Sequence, residues 1–170
     1  MAGKITQGVG TNGQFDTCWN SSDLYIGNYT SIGRELRVYL GGNHNPKFIS
    51  QFAFYNLYSF DIDRSWDTKG DVVIGSDVWI GEYVTIMSGV HIGDGATIGA
   101  KSVVAKDIPP FAIAVGNPCE VKKYRFPQEI IDRLMVIAWW NWGEEKIKHY
   151  CRILTSNLTL DNLKILEEVV

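Results

Sequence analysis

No long apolar run occurs in this chain. The longest strongly apolar stretch, Leu134 to Trp140, has seven residues, far below the ~20 that cross a bilayer as a helix. Cysteine is scarce: Cys18, Cys119 and Cys151 are odd in number and widely spaced, with no Cys-x-x-Cys. A disulfide scaffold and a zinc ribbon are both excluded on that ground. Positive charge is not in excess, with 16 Lys plus Arg against 19 Asp plus Glu and a net charge of −3. That argues against a nucleic-acid binder working by bulk charge. Proline is also scarce, 5 residues beside 17 glycines, so the chain is not a Pro/Gly-rich disordered one. The opening MAGKITQGVG carries no apolar signal core. The expectation is a cytoplasmic protein with reduced thiols. At 170 residues one core of ordinary size is possible, hiding roughly 70% of the unfolded surface.

What is present is a repeat. From Ile74 the sequence reads in sixes: IGSDVW, IGEYVT, IMSGVH, IGDGAT, IGAKSV, VAKDIP. An aliphatic residue opens every block (Ile74, Ile80, Ile86, Ile92, Ile98, Val104). The second residue is Gly in four of the six blocks, and the fifth is small or branched in all (Val78, Val84, Val90, Ala96, Ser102, Ile108). The pattern occurs upstream too, in IGNYTS, IGRELR and VYLGGN from Ile26, Ile32 and Val38. Helices repeat at about 3.6 and strands at 2, so period six suits short strands separated by tight turns, three to a coil. Such coils must stack, because one alone cannot bury its apolar face. Glycine beside each opening aliphatic is expected to supply a turn conformation costly for a residue with a Cβ.

The repeat stops after Arg125. Pro127 opens a helical pattern with Ile130, Ile131, Leu134 and Ile137, and Gly143 breaks it. Glu144 to Leu154 reads as a second helix, and Thr159 to Glu168 as a third. The domain expectation is a repeat domain over 1–125, interrupted by an insertion at 45–71, then a helical cap over 126–170. The insertion holds seven aromatic residues in 27, against 14 in the other 143. A loop of that length and composition is functional rather than disordered.

Three stretches carry a family resemblance. They are GGNHNPKFISQFAF at 41–54, DVWIG through IGAKSVVAKDIPPFAIAVGNPCEVKKYRF at 77–126, and EIIDRLMVIAWWNWGEEKI at 129–147. With the six-residue repeat, they resemble the hexapeptide-repeat acyltransferases, and within them the xenobiotic acetyltransferase branch of chloramphenicol and streptogramin acetyltransferases. The resemblance implies an all-β solenoid: a left-handed parallel β-helix with an extended loop and a C-terminal α-helical cap. It also implies a homotrimer with active sites between subunits, and acetyl-CoA as co-substrate. The chain departs from the branch in a shorter N-terminal region and in Phe-Ala-Phe, where the family has Phe-Pro-Phe.

His44 is the candidate catalytic residue. A histidine of ordinary pKa, ~6.5, is matched to remove a proton near neutral pH. The resemblance makes it the general base acting on the acceptor directly, with no acyl-enzyme. Taken without the resemblance it reads as an exposed loop histidine. His91 closes a block and should face outward as a surface residue, and His149 reads as structural. From Lys101 to Arg125 five basic residues stand against two acidic ones, a local excess suited to phosphates. Lys101 and Lys106 belong to it. By resemblance, backbone at Gly81, Ala100 and Ala105 lines the pantetheine arm and Trp79 packs along it. Pro118 then lies near the adenine, and Lys122 and Lys123 near the 3′-phosphate. Cys119 reads as packing. Asn43, Phe48, Phe52, Phe54 and Tyr55 are the acceptor-binding candidates; the insertion's aromatics either wall that site or bury a subunit interface.

The function expected is transfer of an acetyl group to a hydroxyl or amino group of a small acceptor: a sugar, amino-sugar nucleotide or glycan precursor. The alternative acceptor is an antibiotic, and the shorter N-terminus favours the sugar. A metal-dependent enzyme on the same scaffold, like the γ-type carbonic anhydrases, needs three histidines around a zinc. The chain has three in all, His149 among them in the helical tail, so no metal is expected. A non-catalytic scaffold is the remaining reading. Neither a nucleic-acid partner nor a membrane span is expected.

Overall fold

Each six-residue block becomes a short strand and a turn, and successive strands go to successive members of a set of three parallel sheets. The computed structural model describes residues 4–18, 21–52, 54 and 66–169. The chain falls into two compact units, Met1–Tyr124 and Arg125–Val170. In the first unit, the first sheet stacks Ile5–Gln7, Leu24–Ile26, Val72–Ile74 and His91–Ile92. The second stacks Ser31–Ile32, Trp79–Ile80, Thr97–Ile98 and Ala112–Val115. The third stacks Phe15–Cys18, Leu36–Tyr39, Thr85–Ile86 and Val103–Val104. An antiparallel strand, Glu120–Tyr124, covers the edge left by Ala112–Val115.

The opening aliphatics form ladders. Ile74 pairs with Ile92, Ile80 with Ile98 and Ile86 with Val104. The upstream blocks join the same ladders: Ile26 pairs with Ile74, Ile32 with Ile80 and Val38 with Ile86. The insertion therefore leaves at the corner after the third sheet and returns to the first without shifting the register. First and fifth block positions are both buried, as with Ile80 and Val84 at 0% exposure. Each such side chain contributes about 1.5–3 kcal/mol of hydrophobic burial.

A further coil precedes the ones visible as repeat. Its residues at the ladder register are Gln7, opposite Ile26, and Thr17, opposite Val38. Polar residues there leave no periodic signal, as is common for a terminal repeat.

The glycine expectation needs correction. Among the block-second glycines, none of Gly27, Gly33, Gly75, Gly81, Gly93 and Gly99 has a positive φ. Their role is close approach: a Cβ on Gly75 would stand 2.7 Å from the backbone nitrogen of Asp94 in the next coil. The left-handed residue is instead the fourth of the block: Tyr29, Asp77, Tyr83 and Lys101 at φ 55 to 61°. For residues with a Cβ that conformation costs on the order of 1–2 kcal/mol each, offset by the stacking it permits.

Corner amides that the sheets leave unpaired are taken by side chains of the following coil, so that these backbone donors find acceptors within the chain. At one corner Asn28 Oδ1 accepts from Val9 N–H at 2.9 Å, Ser76 Oγ from Asn28 N–H at 3.1 Å and Asp94 Oδ1 from Ser76 N–H at 2.6 Å. At another, Asp23, Asp71 and Asp107 accept from Lys4, Asp23 and His91 N–H at 2.7 to 2.8 Å.

The second unit holds α1 (Gln128–Ile137), a 3-10 turn at Trp139–Asn141, α2 (Glu144–Leu154) and α3 (Leu160–Glu167). Ile131, Leu134 and Ile137 of α1 are buried, as are Leu163 and Leu166 of α3. Ala138 ends α1 in the left-handed conformation, and Thr159 caps α3 by accepting from Asn162 N–H at 3.1 Å. Arg133 forks onto Glu167, with Nε to Oε1 at 2.5 Å and Nη2 to Oε2 at 2.8 Å. No helix among the described residues is long and apolar enough to cross a membrane.

Candidate functional site

His44 stands at the root of the insertion. Asn43–His44 forms a strand paired antiparallel with Trp66–Asp67, so the two legs of the insertion leave the coil as one ribbon. The imidazole is exposed, and its Nδ1 lies 2.8 Å from the backbone carbonyl oxygen of Gln51. A carbonyl only accepts, so Nδ1 carries a proton, and in the neutral ring Nε2 is the nitrogen with the free lone pair. Gln51 closes the loop twice, because its side-chain amide also donates to the carbonyl of Asn45 at 2.9 Å.

The acceptor-side candidates cluster in part. Asn43 turns towards the coil and donates from Nδ2 to Ser88 Oγ at 2.8 Å. Phe48, Phe52 and Phe54 are exposed, and the rings of Phe52 and Phe54 meet edge-to-face with centroids 4.9 Å apart. Tyr55 lies outside the described residues, as does most of the aromatic stretch after it.

The donor-side candidates fall at several places on the coils. Trp79 projects from the second sheet between Ser31 and Thr97, 61% exposed. Gly81 and Ala100 meet at the next corner, and Lys101 beyond them is exposed, its N–H donating to Glu82 O at 2.8 Å. Ala105 and Lys106 follow the third sheet, at the corner where the insertion leaves two coils earlier. Pro118 sits in a turn after a cis Asn117–Pro118 bond. Lys122 and Lys123 lie on the final antiparallel strand, where Lys122 Nζ is 2.7 Å from Glu120. That ammonium holds the Glu120 carboxyl below its ordinary range.

Ser102 organises the turn around Pro118. Its buried hydroxyl donates to Gly99 O at 2.6 Å and accepts from Gly116 N–H at 3.0 Å. Val103 N–H donates to Gly116 O, and Cys119 N–H to Val103 O. Burial pushes the Cys119 thiol up, which disfavours the thiolate a nucleophile needs. His91 is exposed on the first sheet, and His149 is on α2 beside Tyr150, with rings 4.6 Å apart. Two clefts, of about 470 and 430 Å³, lie elsewhere on the first unit, one including Gln7, Asp16 and Glu35 and the other His91 and Asp107. Among the described residues no three His, Cys, Asp or Glu stand close enough to hold a metal ion.

Comparison with known proteins decides the family. Residues 71–106 match the family described as "Bacterial transferase hexapeptide (six repeats)". Over 147 residues the chain is 42% identical to a Lysinibacillus sphaericus protein named "Probable macrolide acetyltransferase", covering 82% of this chain and 81% of that one. The chain belongs to the hexapeptide-repeat acetyltransferases. This acetyltransferase is also 40% identical to a chloramphenicol acetyltransferase of Escherichia coli, over 79% of this chain and 67% of the relative. Among solved structures it is similar to a maltose O-acetyltransferase from Clostridium difficile 630. The TM-score is 0.55 at 30% identity, over 74% of this chain and 67% of the other.

Sequence reasoning about the acetyltransferase missed Gln51, Ser88 and the clasp made by Ser102. Gln51 acts through its main chain, which no residue type announces. Ser88 fills the third block position, which in the other five blocks holds Ser76, Glu82, Asp94, Ala100 and Lys106, so a serine there carries no signal. Ser102 was visible only as a small fifth-position residue.

Proposed function

We propose that this acetyltransferase moves the acetyl group of acetyl-CoA to a hydroxyl of a small acceptor, with His44 as general base. The observation that carries the reading is the bond between His44 Nδ1 and the Gln51 carbonyl, which leaves Nε2 able to accept a proton. An acceptor hydroxyl against Nε2 loses its proton to the ring as its oxygen attacks the thioester carbonyl. The C–S bond then breaks, and the departing CoA thiolate takes the proton back from the imidazolium. Base catalysis of this kind contributes about 10²–10⁴-fold.

The donor-side set comprises Trp79, Gly81, Ala100, Lys101, Ala105, Lys106, Pro118, Lys122 and Lys123. Exposed lysines suit phosphates, and the exposed Ala100 with its small side chain suits a slender pantetheine chain. Phe48, Phe52, Phe54 and Tyr55 form the acceptor side, while the Asn43 amide is tied to the coil through Ser88. The exposed Phe52–Phe54 pair and the names of the relatives at about 40% identity favour an antibiotic hydroxyl, as in chloramphenicol or a macrolide. The likeness to a maltose O-acetyltransferase supports the second reading, a sugar hydroxyl or an amino-sugar nucleotide.

The wider proposal is a left-handed parallel β-helix solenoid that assembles as a homotrimer in the cytoplasm, where acetyl-CoA is supplied. The exposure of His44, Phe52 and Phe54 on a single chain supports a site completed by a neighbour. Free-thiol release from acetyl-CoA, measured beside chloramphenicol, a macrolide, maltose and an amino-sugar nucleotide, tests the activity. Thiol release with none of them overturns the acceptor readings, and a monomer by light scattering overturns the shared site.

A further inference from the structure

The ribbon that carries His44 leaves the coil through two adjacent legs, and one hydroxyl holds both. Ser88 is 3% exposed. Its Oγ accepts from Asn43 Nδ2 at 2.8 Å on the outgoing leg and from Lys69 N–H at 3.4 Å on the returning leg. Ser88 belongs to the coil that follows the insertion, just after Thr85–Ile86. The coil before it supplies the opposite support: Ser22 Oγ donates to Leu40 O at 2.8 Å and accepts from Thr68 Oγ1 at 3.1 Å. The returning leg also lies against Gly89, whose N–H donates to Gly70 O at 3.0 Å. A Cβ on Gly89 would stand 2.6 Å from Lys69 O.

Asn43 and His44 are consecutive residues of a strand, so their side chains leave opposite faces. A hook that fixes the Asn43 amide against the coil therefore fixes the direction in which the imidazole projects. We infer that Ser88, through Asn43, is a positioning residue for His44, setting the ring so that its Nδ1 meets the Gln51 carbonyl. The inference rests on the reading of His44 as the base, but its geometry is independent of substrate. Without the hook the ribbon pivots on its two legs and the imidazole samples more orientations. A misplacement near 1 Å at a reacting group costs about 10²-fold in rate.

The test uses the full-length protein carrying ¹⁵N-labelled histidine, whose three residues give a resolvable ring spectrum. In the unaltered protein at a pH where the ring is neutral, His44 shows the Nδ1–H tautomer. In Ser88→Ala that signature gives way to a mixture of tautomers, while the signals of His91 and His149 stay in place. kcat falls about 10- to 100-fold and KM for acetyl-CoA stays within about twofold, as expected for an effect confined to positioning. An unchanged His44 spectrum overturns the inference, whether or not kcat falls. A changed spectrum in a protein whose His44→Ala variant keeps full activity leaves the positioning intact and removes the base reading. Should Ser88→Ala fail to fold, Asn43→Leu removes the same bond from the other side and is read the same way.

Discussion

Gly81 lies against Ala100 of the next coil so closely that a β-carbon on Gly81 would stand 2.6 Å from the Ala100 nitrogen and 2.9 Å from its Cα. Both neighbours are backbone, so neither can swing aside. Gly81→Ala is expected to cost about 1–3 kcal/mol, as overpacking does, and to lower the thermal midpoint by about 2–4 °C per kcal/mol. Differential scanning calorimetry checks this; an unshifted midpoint would mean that the coils separate freely.

His44→Ala should lose about 10²–10⁴-fold in kcat with little change in thermal midpoint, because the ring is exposed. Thiol release under saturating acetyl-CoA measures it. Full activity in this variant would remove His44 from the mechanism.

Asp23 links stability to acid. Its carboxylate accepts from Lys4 N–H at 2.7 Å and from the Tyr25 hydroxyl at 3.0 Å. Those bonds, the backbone one first, hold the carboxyl below its ordinary value of 3.8. A depressed folded value stabilises above the unfolded pKa, and that contribution is lost as pH falls through the folded value. The unaltered protein should therefore exceed Asp23→Asn in thermal midpoint above about pH 4, with the gap closing below it. Tyr25, raised by the same bond, adds a contribution present below its unfolded pKa and lost as pH rises through the folded one. A gap independent of pH would exclude the linkage.

In the helical unit, the fork between Arg133 and Glu167 joins α1 to α3. Arg133 holds the Glu167 carboxyl below its ordinary range. Glu167→Gln and Arg133→Lys should each lower stability at neutral pH, since a lysine cannot form two parallel bonds. The Glu167→Gln deficit should vanish in acid, once Glu167 is itself protonated. Urea unfolding of both variants at pH 7 and in acid decides it, and unchanged midpoints would show the fork to be solvent-screened decoration.

The sequence by itself determined the coils. Ile74, Ile80, Ile86 and Ile92 recur at a period that only stacked short strands satisfy, and each was found in its ladder. It determined the helices as well, through the spacing of Ile131, Leu134 and Ile137. It did not reveal the first coil, since Gln7 and Thr17 occupy ladder positions with polar side chains. It also gave a wrong reason for the glycines. Their need for space comes from the backbone of the next coil, as with Gly75 and Asp94 nineteen residues ahead, and local turn preference says nothing of that. His44 could be nominated from its motif, but its orientation could not. The Gln51 carbonyl is main chain, and Ser88 is a serine among ordinary serines, forty-five residues from Asn43. Hydrogen bonds between distant segments exist only once the ladders have set the coils in register. Tertiary structure alone decided how the imidazole is held.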